Sequence, residues 1–226
     1  MANILILGSG SMGTAFSFPC SDNNHTVSII GTHLENDFID QVNSKNKHPL
    51  LNCDVAKNVK FLKFEKLGEE INKKIDLIAV AVISRGIEWA SKELSKVTKG
   101  IVPILILTKG LAINNNNYEV LAHKMDRLMK KNGIKKTNIS VAGGPCLAKG
   151  LANKIHTSVV FANTDIKIAK QISKLVSTNY YHVFTSDDVV GVETCAAIKN
   201  IFSMVIGASQ GLCHSSASKE IKEKTI

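Results

Sequence analysis

The sequence contains few aromatic residues, almost no arginine and no closely spaced cysteines. Aromatic residues make up 5% of the 226 positions, and Arg85 and Arg127 are the only arginines. The five cysteines form no C-x-x-C pair, which argues against a zinc cluster and against the disulfide framework of a small secreted domain. We therefore interpret the cysteines as reduced thiols in a cytoplasm and expect no metal site.

Long apolar runs are also absent. Runs such as Ile78–Ile83 and Ile104–Leu107 are far shorter than the roughly 20 residues that cross a bilayer. No basic segment precedes the first apolar run at 4–7, as a signal peptide would require. The sequence therefore predicts a cytoplasmic protein without membrane insertion.

Positive charge is in excess, but it is spread along the chain. Lysine and arginine together number 28 against 19 acidic residues, which gives a net charge of +9. Nucleic-acid surfaces usually concentrate such charge on one face, use arginine for base contacts and interleave aromatic residues. Scattered lysines fit that pattern poorly. We expect no nucleic-acid partner, and we expect the charge to act as a field that attracts small anionic substrates.

The first 186 residues alternate short apolar runs with longer, more polar stretches of helical character. The apolar runs typical of strands buried on both faces are 4–7, 27–30, 76–82, 101–108, 138–142, 158–162 and 181–184. This alternation predicts a doubly wound α/β sheet. The tract Asn114–Asn117 is expected to be a loop. From residue 187 onwards the pattern is helical, so we predict one domain over 1–186 and the beginning of an all-α domain over 187–226.

A glycine-rich turn follows the first predicted strand. Gly8, Gly10 and Gly13 have G-x-G-x-x-G spacing directly before a predicted helix. At this spacing one glycine makes the tight turn, one lets the backbone approach a pyrophosphate, and one lets helix and strand pack closely. The free N–H groups at the helix start then bind the anion. The motif predicts a dinucleotide-binding sheet of the Rossmann type.

The second predicted strand ends without an acidic residue. It reads Ile-Gly-Thr-His over 30–33, and the first acid is Glu35. An NAD site typically places an acid near this point to bind the ribose 2′-hydroxyl. Thr32 or His33 could donate to a 2′-phosphate, although no arginine is present to clamp one. The sequence favours NADPH over NADH, with a solvated loop histidine as the alternative for His33.

Two short motifs come directly after predicted strands. Lys109 follows the fourth strand in Thr-Lys-Gly-Leu, where it could pair with a phosphate or polarise a carbonyl; a solvated surface lysine is the alternative. Gly144 and Cys146 follow the fifth strand in Ala-Gly-Gly-Pro-Cys. No histidine is near Cys146 in sequence, which favours a pocket-lining residue over a nucleophile. Because ligands bind beyond the carboxyl ends of strands in open α/β sheets, both motifs are candidate sites.

A lysine also occurs within the final helical pattern. Lys199 lies four residues after Cys195, on an apolar stripe that we expect to face inward and that continues through Phe202 and Ile206. Such a lysine either extends its head to solvent or has a function, and spacing alone favours neither. A desolvated lysine has a lowered pKa, which suits a proton donor working near neutral pH.

Together these motifs resemble the NAD(P)-dependent glycerol-3-phosphate dehydrogenase family, which interconverts dihydroxyacetone phosphate and glycerol 3-phosphate. The matching stretches are GSGSMGTAF (8–16), TKGL (108–111), GPCLAKGLA (144–152) and GVETCAAIKN (191–200). The resemblance implies that Lys199 is catalytic, protonating the ketone oxygen as hydride arrives. The expected substrate contacts are Lys109, Gly144, Cys146 and Lys199. The expected cofactor contacts are Gly8, Gly10, Ser11, Met12, Gly13, Thr32, His33, Lys109 and Ala148.

The resemblance also implies a role and an assembly. The expected reaction is reduction of dihydroxyacetone phosphate for glycerophospholipid synthesis, by a homodimer when full-length, with residues 187 onwards opening a substrate and dimerisation domain. Cys146 stands where the family usually has serine or threonine, Met12 where an aromatic residue is common, and Pro19 should kink the first helix. Nothing after Gly211 matches the rest of the family's helical domain. Two alternatives stay open: a non-catalytic dinucleotide-binding fragment, and another β-hydroxyacid-type NAD(P) dehydrogenase.

Overall fold

The structure is a computed structural model that describes residues 1–56, 58–99 and 101–214. In chain order the strands are β1 (Asn3–Leu7), β2 (Thr26–Ile30), β3 (Lys47–His48), β4 (Cys53–Asp54), β5 (Val59–Leu62), β6 (Leu77–Val80), β7 (Ile104–Ile106), β8 (Leu111–Asn114), β9 (Asn117–Val120), β10 (Ile139–Gly143), β11 (Thr157–Ala162) and β12 (Tyr181–Ser186). The helices are α1 (Ser11–Asp22), α2 (Asn36–Lys45), α3 (Leu67–Ile71), α4 (Ile87–Val97), α5 (Leu121–Lys131), α6 (Ala148–Ala152), α7 (Ile166–Val176) and α8 (Val189–His214).

An eight-stranded sheet in the order β12-β11-β10-β7-β6-β1-β2-β5 organises the molecule. Strand β1 pairs in parallel with both β2 and β6, so the chain winds outward in two directions from this point. The doubly wound α/β prediction is confirmed. One feature was not predicted: β11 pairs antiparallel to β10, and β12 pairs parallel to β11, so the last two strands run against the rest.

All seven predicted strands are present, and the sheet has one strand more. Strand β5 alternates buried and exposed positions at the sheet edge, with Lys60 exposed between Val59 and Phe61, and it therefore lacks the continuous apolar run used for prediction. The tract Asn114–Asn117, expected to be a loop, closes the hairpin β8–β9: Asn114 and Asn117 pair at the strand ends, and Asn115 and Asn116 form the turn. Asn115 and Asn116 both have positive φ there, as two-residue hairpin turns of this kind require.

The core lies on both faces of the sheet, which explains the continuous apolar runs. In β1, Ile4 and Ile6 pack on the side of α1, α6 and α7, whereas Leu5 and Leu7 pack on the side of α4 and α5. Helix α1 continues through Pro19 to Asp22, so the proline expected to kink it lies inside an unbroken helix.

Helix α8 packs on the sheet over its first half only. Its N-terminal part contacts β10 and β11, but Cys195 is exposed, and Phe202 and Ile206 are 62% and 59% exposed. The predicted inward stripe is therefore wrong at Cys195, Phe202 and Ile206, whereas Ala196 and Lys199 on the same stripe are half-buried. Val189–Leu212 is long and apolar enough to cross a membrane, and 17% of its apolar window is buried in the described part of the chain.

Candidate functional site

The glycine turn has the geometry that its spacing predicts. Gly8 adopts φ +110°, where a Cβ would lie 2.8 Å from the Ala81 carbonyl oxygen, and a Cβ at Gly13 would collide with the Gly8 carbonyl. A Cβ at Gly10, in contrast, would meet no atom of the described residues within 4 Å. Helix α1 begins directly after Gly10, and no side chain of the described residues caps it. The first N–H groups of α1 therefore face open space, as an anion site at a helix start requires.

A cavity of about 530 Å³ lies against this turn. Its lining comes from three segments at the carboxyl ends of β1, β6 and β7, namely 10–12, 81–84 and 107–109. This is the switch point of the sheet, where doubly wound folds bind their ligands. The structure thus brings Ser11, Met12 and Lys109, which the sequence predicts as site residues, to one cleft.

The end of β2 forms the other side of the glycine turn. The exposed His33 ring packs on Trp89 of α4 with ring centroids 5.4 Å apart. The backbone N–H of Thr32 donates to the Glu35 carboxylate at 2.6 Å, and the N–H of Ser9 faces the same oxygen at 3.5 Å. The sequence marks Glu35 only as the first acid after the strand. Glu35 is the N-cap residue of α2, and its approach to Ser9, 26 positions away, leaves no pattern in a single sequence.

Lys109 lies between this cleft and a second cavity beside α8. Its Nζ donates to the Gly144 carbonyl at 3.1 Å. Desolvation lowers the pKa of Lys109, and the charge of Lys199 lowers it further, while Cys146 opposes the shift. The two lysines predicted from separate motifs therefore lie close enough to repel each other. Burial raises the pKa of the Cys146 thiol, which fits the predicted pocket-lining role better than that of a nucleophile.

A second cavity, of about 460 Å³, lies between the end of β10 and the first half of α8. Its lining includes Gly144 and the half-buried Lys199. Gly143 allows the helix to come close, because a Cβ there would lie 2.6 Å from the Val192 side chain. Lys109, Cys146 and the buried Tyr181 line a small void beside Met12. Tyr181 was not predicted as a site residue, because it lies inside a strand without a motif.

Ala148 is placed less directly. It is the first residue of α6, and it packs against the core on the α1 side of the sheet. The lining of the two larger cavities does not include it. Its predicted cofactor contact stays a prediction.

Glu193 connects α8 to α5 of the sheet domain by hydrogen bonds, a role that no sequence motif indicates. This residue is 6% exposed, and its two carboxylate oxygens accept hydrogen bonds from the N–H groups of Leu121 and Ala122 at 3.2 and 2.9 Å. Those groups belong to the first turn of α5, so the carboxylate caps that helix. Burial raises the pKa of Glu193 to about 7, against the effect of the two hydrogen bonds.

The sheet, its switch point and the open glycine turn define a Rossmann-type domain of the dinucleotide-binding class. The family model for the N-terminal part of NAD-dependent glycerol-3-phosphate dehydrogenases matches residues 3–169. The chain belongs to this family.

Named relatives and solved structures agree with this assignment. Glycerol-3-phosphate dehydrogenase [NAD(P)+] of Streptococcus agalactiae serotype III is 31% identical over 216 residues, which cover 96% of this chain and 62% of that protein. The Streptococcus mutans enzyme is 30% identical with the same coverage. Structures of glycerol-3-phosphate dehydrogenase from Coxiella burnetii (24% identity, TM-score 0.78, 95% of this chain and 63% of that one) and Plasmodium falciparum (19%, 0.81, 99% and 62%) share the fold. The chain spans about 62% of the length of these curated relatives.

Proposed function

We propose that the chain binds a nicotinamide dinucleotide along the 530 Å³ cleft and belongs to a protein that interconverts dihydroxyacetone phosphate and glycerol 3-phosphate. One observation carries this proposal: Lys109 donates to the Gly144 carbonyl, and Gly144 lines the same cavity as Lys199, beside an open helix start. Two cations next to an anion-binding turn suit a phosphorylated substrate and a developing oxyanion.

The residues around the cleft fit a dinucleotide. The pyrophosphate would lie over Gly10 and the N–H groups of Ser11 and Met12, since the space beyond Gly10 is open. The adenosine half would extend toward Thr32 and His33, and the nicotinamide half toward Lys109. When bound, the cofactor supplies or accepts a hydride. The NADPH preference expected from Thr32 and His33 stays a prediction.

The substrate would occupy the 460 Å³ cavity. Lys199 would protonate the ketone oxygen in reduction and remove that proton in the reverse direction. Lys109, oriented by the Gly144 carbonyl, would pair with the anionic substrate. Gly144 would let the substrate approach the backbone, and Cys146 would line the pocket in place of a hydroxyl side chain.

The family also supports a proposal about the wider role. We propose a cytoplasmic enzyme that reduces dihydroxyacetone phosphate for glycerophospholipid synthesis and is a homodimer when full-length, with no nucleic-acid partner and no membrane insertion. We also propose the division into a dinucleotide-binding domain over 1–186 and a substrate and dimerisation domain from 187. In support of that division, β12 ends at Ser186 and α8 begins at Val189.

Oxidation of NADH and of NADPH in the presence of dihydroxyacetone phosphate, followed by absorbance, tests the activity. In protein that turns over, Lys199→Ala should lower the rate by about 10²–10⁴-fold, as the loss of a general acid does. Lys149→Ala, at an exposed lysine of α6, is the control and should change little. An unaffected rate in Lys199→Ala would contradict the role of Lys199.

The exposed apolar half of α8 favours one alternative, a non-catalytic dinucleotide-binding fragment, because packing around Lys199 is incomplete in the described residues. Cofactor binding without turnover of any phosphorylated ketone would support that alternative. Turnover of ketopantoate or 3-hydroxy acids in preference to dihydroxyacetone phosphate would instead indicate another β-hydroxyacid-type dehydrogenase.

A further inference from the structure

Tyr181 brings a buried hydroxyl group to the edge of the sheet where the two larger cavities meet. It is the first residue of β12 and is 2% exposed. Because β11 and β12 run against β10, the start of β12 lies at the edge where β10 ends. The Tyr181 ring packs edge-on against Phe16 and Phe161, with centroids 6.4 Å apart in both pairs. These contacts explain why the ring is there but not why it carries a hydroxyl group.

The small void that Tyr181 lines has a volume of about 20 Å³ and lies between the two larger cavities. Met12 and Lys109 line both this void and the 530 Å³ cleft, and Gly144 lines both the void and the 460 Å³ cavity. A cavity holds a water-sized atom when it offers about 10–15 Å³, so the void has room for one oxygen atom. In the proposed function, this is where the nicotinamide and the ketone would meet.

The Tyr181 hydroxyl has no hydrogen-bond partner in the described part of the chain. Among the fully enclosed side-chain nitrogen and oxygen atoms of that part, only Ser9 Oγ and Asn36 Oδ1 lack a partner. The Tyr181 oxygen lacks one as well, so it is not fully enclosed and borders the void. Buried hydroxyl groups are normally hydrogen-bonded. An acceptor that enters the void would therefore satisfy a group that is otherwise left unpaired.

The other polar groups around the void are not acceptors for this hydroxyl. Lys109 Nζ is a donor only, and it donates to the Gly144 carbonyl at 3.1 Å. The Cys146 thiol is a weak acceptor, and burial raises its pKa. Burial also raises the pKa of Tyr181, and the neighbouring Cys146 raises it further, so the phenol keeps its proton. The void thus presents an O–H donor and an ammonium group, a combination that suits an acceptor oxygen.

We propose that Tyr181 is a substrate-binding residue: its O–H donates a hydrogen bond to an oxygen atom of the phosphorylated ketone or alcohol at the junction of the two cavities. The proposal rests on the proposed function. Lys109 lines the same void, so an oxygen there meets two donors. Cys146 offers no strong donor, so the hydroxyl of this part of the site comes from β12 and not from the loop after β10.

Calorimetric titration of the 226-residue chain with glycerol 3-phosphate tests the proposal. The titration is done with a saturating reduced cofactor, NADH or NADPH, because no hydride can pass between two reduced ligands. Tyr181→Phe removes only the hydroxyl oxygen and should weaken glycerol 3-phosphate binding about tenfold, as the loss of one hydrogen bond to a polar ligand does. Its cofactor binding should be unchanged. Tyr118→Phe removes the same atom from an exposed position of β9 and should change neither affinity.

A hydroxyl group moved to the other side of the void tests the position of the contact. In the Tyr181→Phe background, Cys146→Ser should restore most of the lost glycerol 3-phosphate affinity, because both side chains line the void. Cys146→Ala in the same background should restore none. Since the Tyr181 hydroxyl is unpaired in the free chain, Tyr181→Phe should also melt at or above the wild-type temperature.

The outcomes separate this inference from the function on which it rests. A wild type that binds the cofactor but not glycerol 3-phosphate would overturn the proposed substrate site, and the inference with it. Glycerol 3-phosphate binding that is equal in wild type and Tyr181→Phe would overturn the role of Tyr181 alone. A lower melting temperature of Tyr181→Phe with equal weakening of both ligands would show that the hydroxyl is structural, and would also overturn its role.

Discussion

The buried carboxylate of Glu193 makes stability depend on pH in a direction opposite to that of most acids. The folded chain raises the pKa of Glu193 to about 7, whereas the ordinary value is 4.5. Between these two pH values the folded chain holds a proton that the unfolded chain has lost. The stability that the protonated Glu193 side chain contributes is therefore fully present below about pH 4.5 and is lost as pH rises to about 7. The free energy of unfolding falls over this window.

The size of the effect follows from the size of the pKa change. One pKa unit corresponds to about 1.4 kcal/mol, so the full loss is about 3 kcal/mol. Other carboxylates act in the opposite sense: salt bridges and hydrogen bonds lower the pKa values of Glu70, Glu119 and Asp126, and the stability that these groups contribute is lost as pH falls. The Glu193 contribution must therefore be measured as a difference between two proteins.

Urea unfolding followed by circular dichroism isolates the Glu193 contribution to stability. The experiment compares wild-type protein with Glu193→Gln at several pH values between 5 and 8. Glutamine does not titrate, and its single side-chain oxygen can accept only one of the Leu121 and Ala122 N–H groups, so the variant is less stable by an amount that does not depend on pH. Relative to that of the variant, the free energy of unfolding of the wild type should fall by about 2–3 kcal/mol between pH 5 and pH 8. Glu88→Gln, at an exposed position of α4, should run parallel to the wild type. Parallel curves for Glu193→Gln, or a wild type that gains stability relative to the variant toward pH 8, would refute the reasoning.

Three further predictions concern the glycine turn, α8 and the lysine pair. Gly13→Ala should lower the free energy of unfolding by about 1–3 kcal/mol in urea titrations, as overpacking does, because its Cβ would collide with the Gly8 carbonyl; an unchanged midpoint would contradict that packing. Phe202→Ser should cost less than about 0.5 kcal/mol in the isolated chain and reduce binding of a hydrophobic dye, since the ring is exposed; a large loss of stability would show that the ring is packed. Lys199→Met should raise the pKa of Lys109, measured by NMR titration of the labelled lysine, because Lys199 lowers it in the wild type; an unmoved or lowered pKa would place the two lysines apart.

The sequence predicts the elements whose signal is local. The glycine turn and the doubly buried strands follow from residue type and spacing over a few positions. Strand β5 was missed because an edge strand buries only one face, so Lys60 interrupts its apolar run. The reversed direction of β11 was missed because an apolar run carries no information about polarity.

The site was predicted where a motif supplied each residue and missed where contacts cross the fold. Lys109, Gly144 and Lys199 come from three motifs, and the structure gathers them at one edge. Glu193 accepts hydrogen bonds from Leu121 and Ala122, which precede it by 72 and 71 positions. Glu35 approaches Ser9, which precedes it by 26 positions. Such pairs leave no pattern in a single sequence, because their spacing is set by the tertiary structure.

The central claim is that the cleft at the glycine turn holds a dinucleotide, and Gly10 tests it most directly. Gly10 has φ −64° and ψ 178°, which any residue adopts, and its Cβ position is open. Gly10→Val should therefore melt at the wild-type temperature yet bind neither NADH nor NADPH in calorimetric titrations, because its side chain would occupy the space of the pyrophosphate. Wild-type chain should bind one cofactor molecule. Cofactor binding that survives in Gly10→Val, or that is absent from the wild type, would contradict the claim.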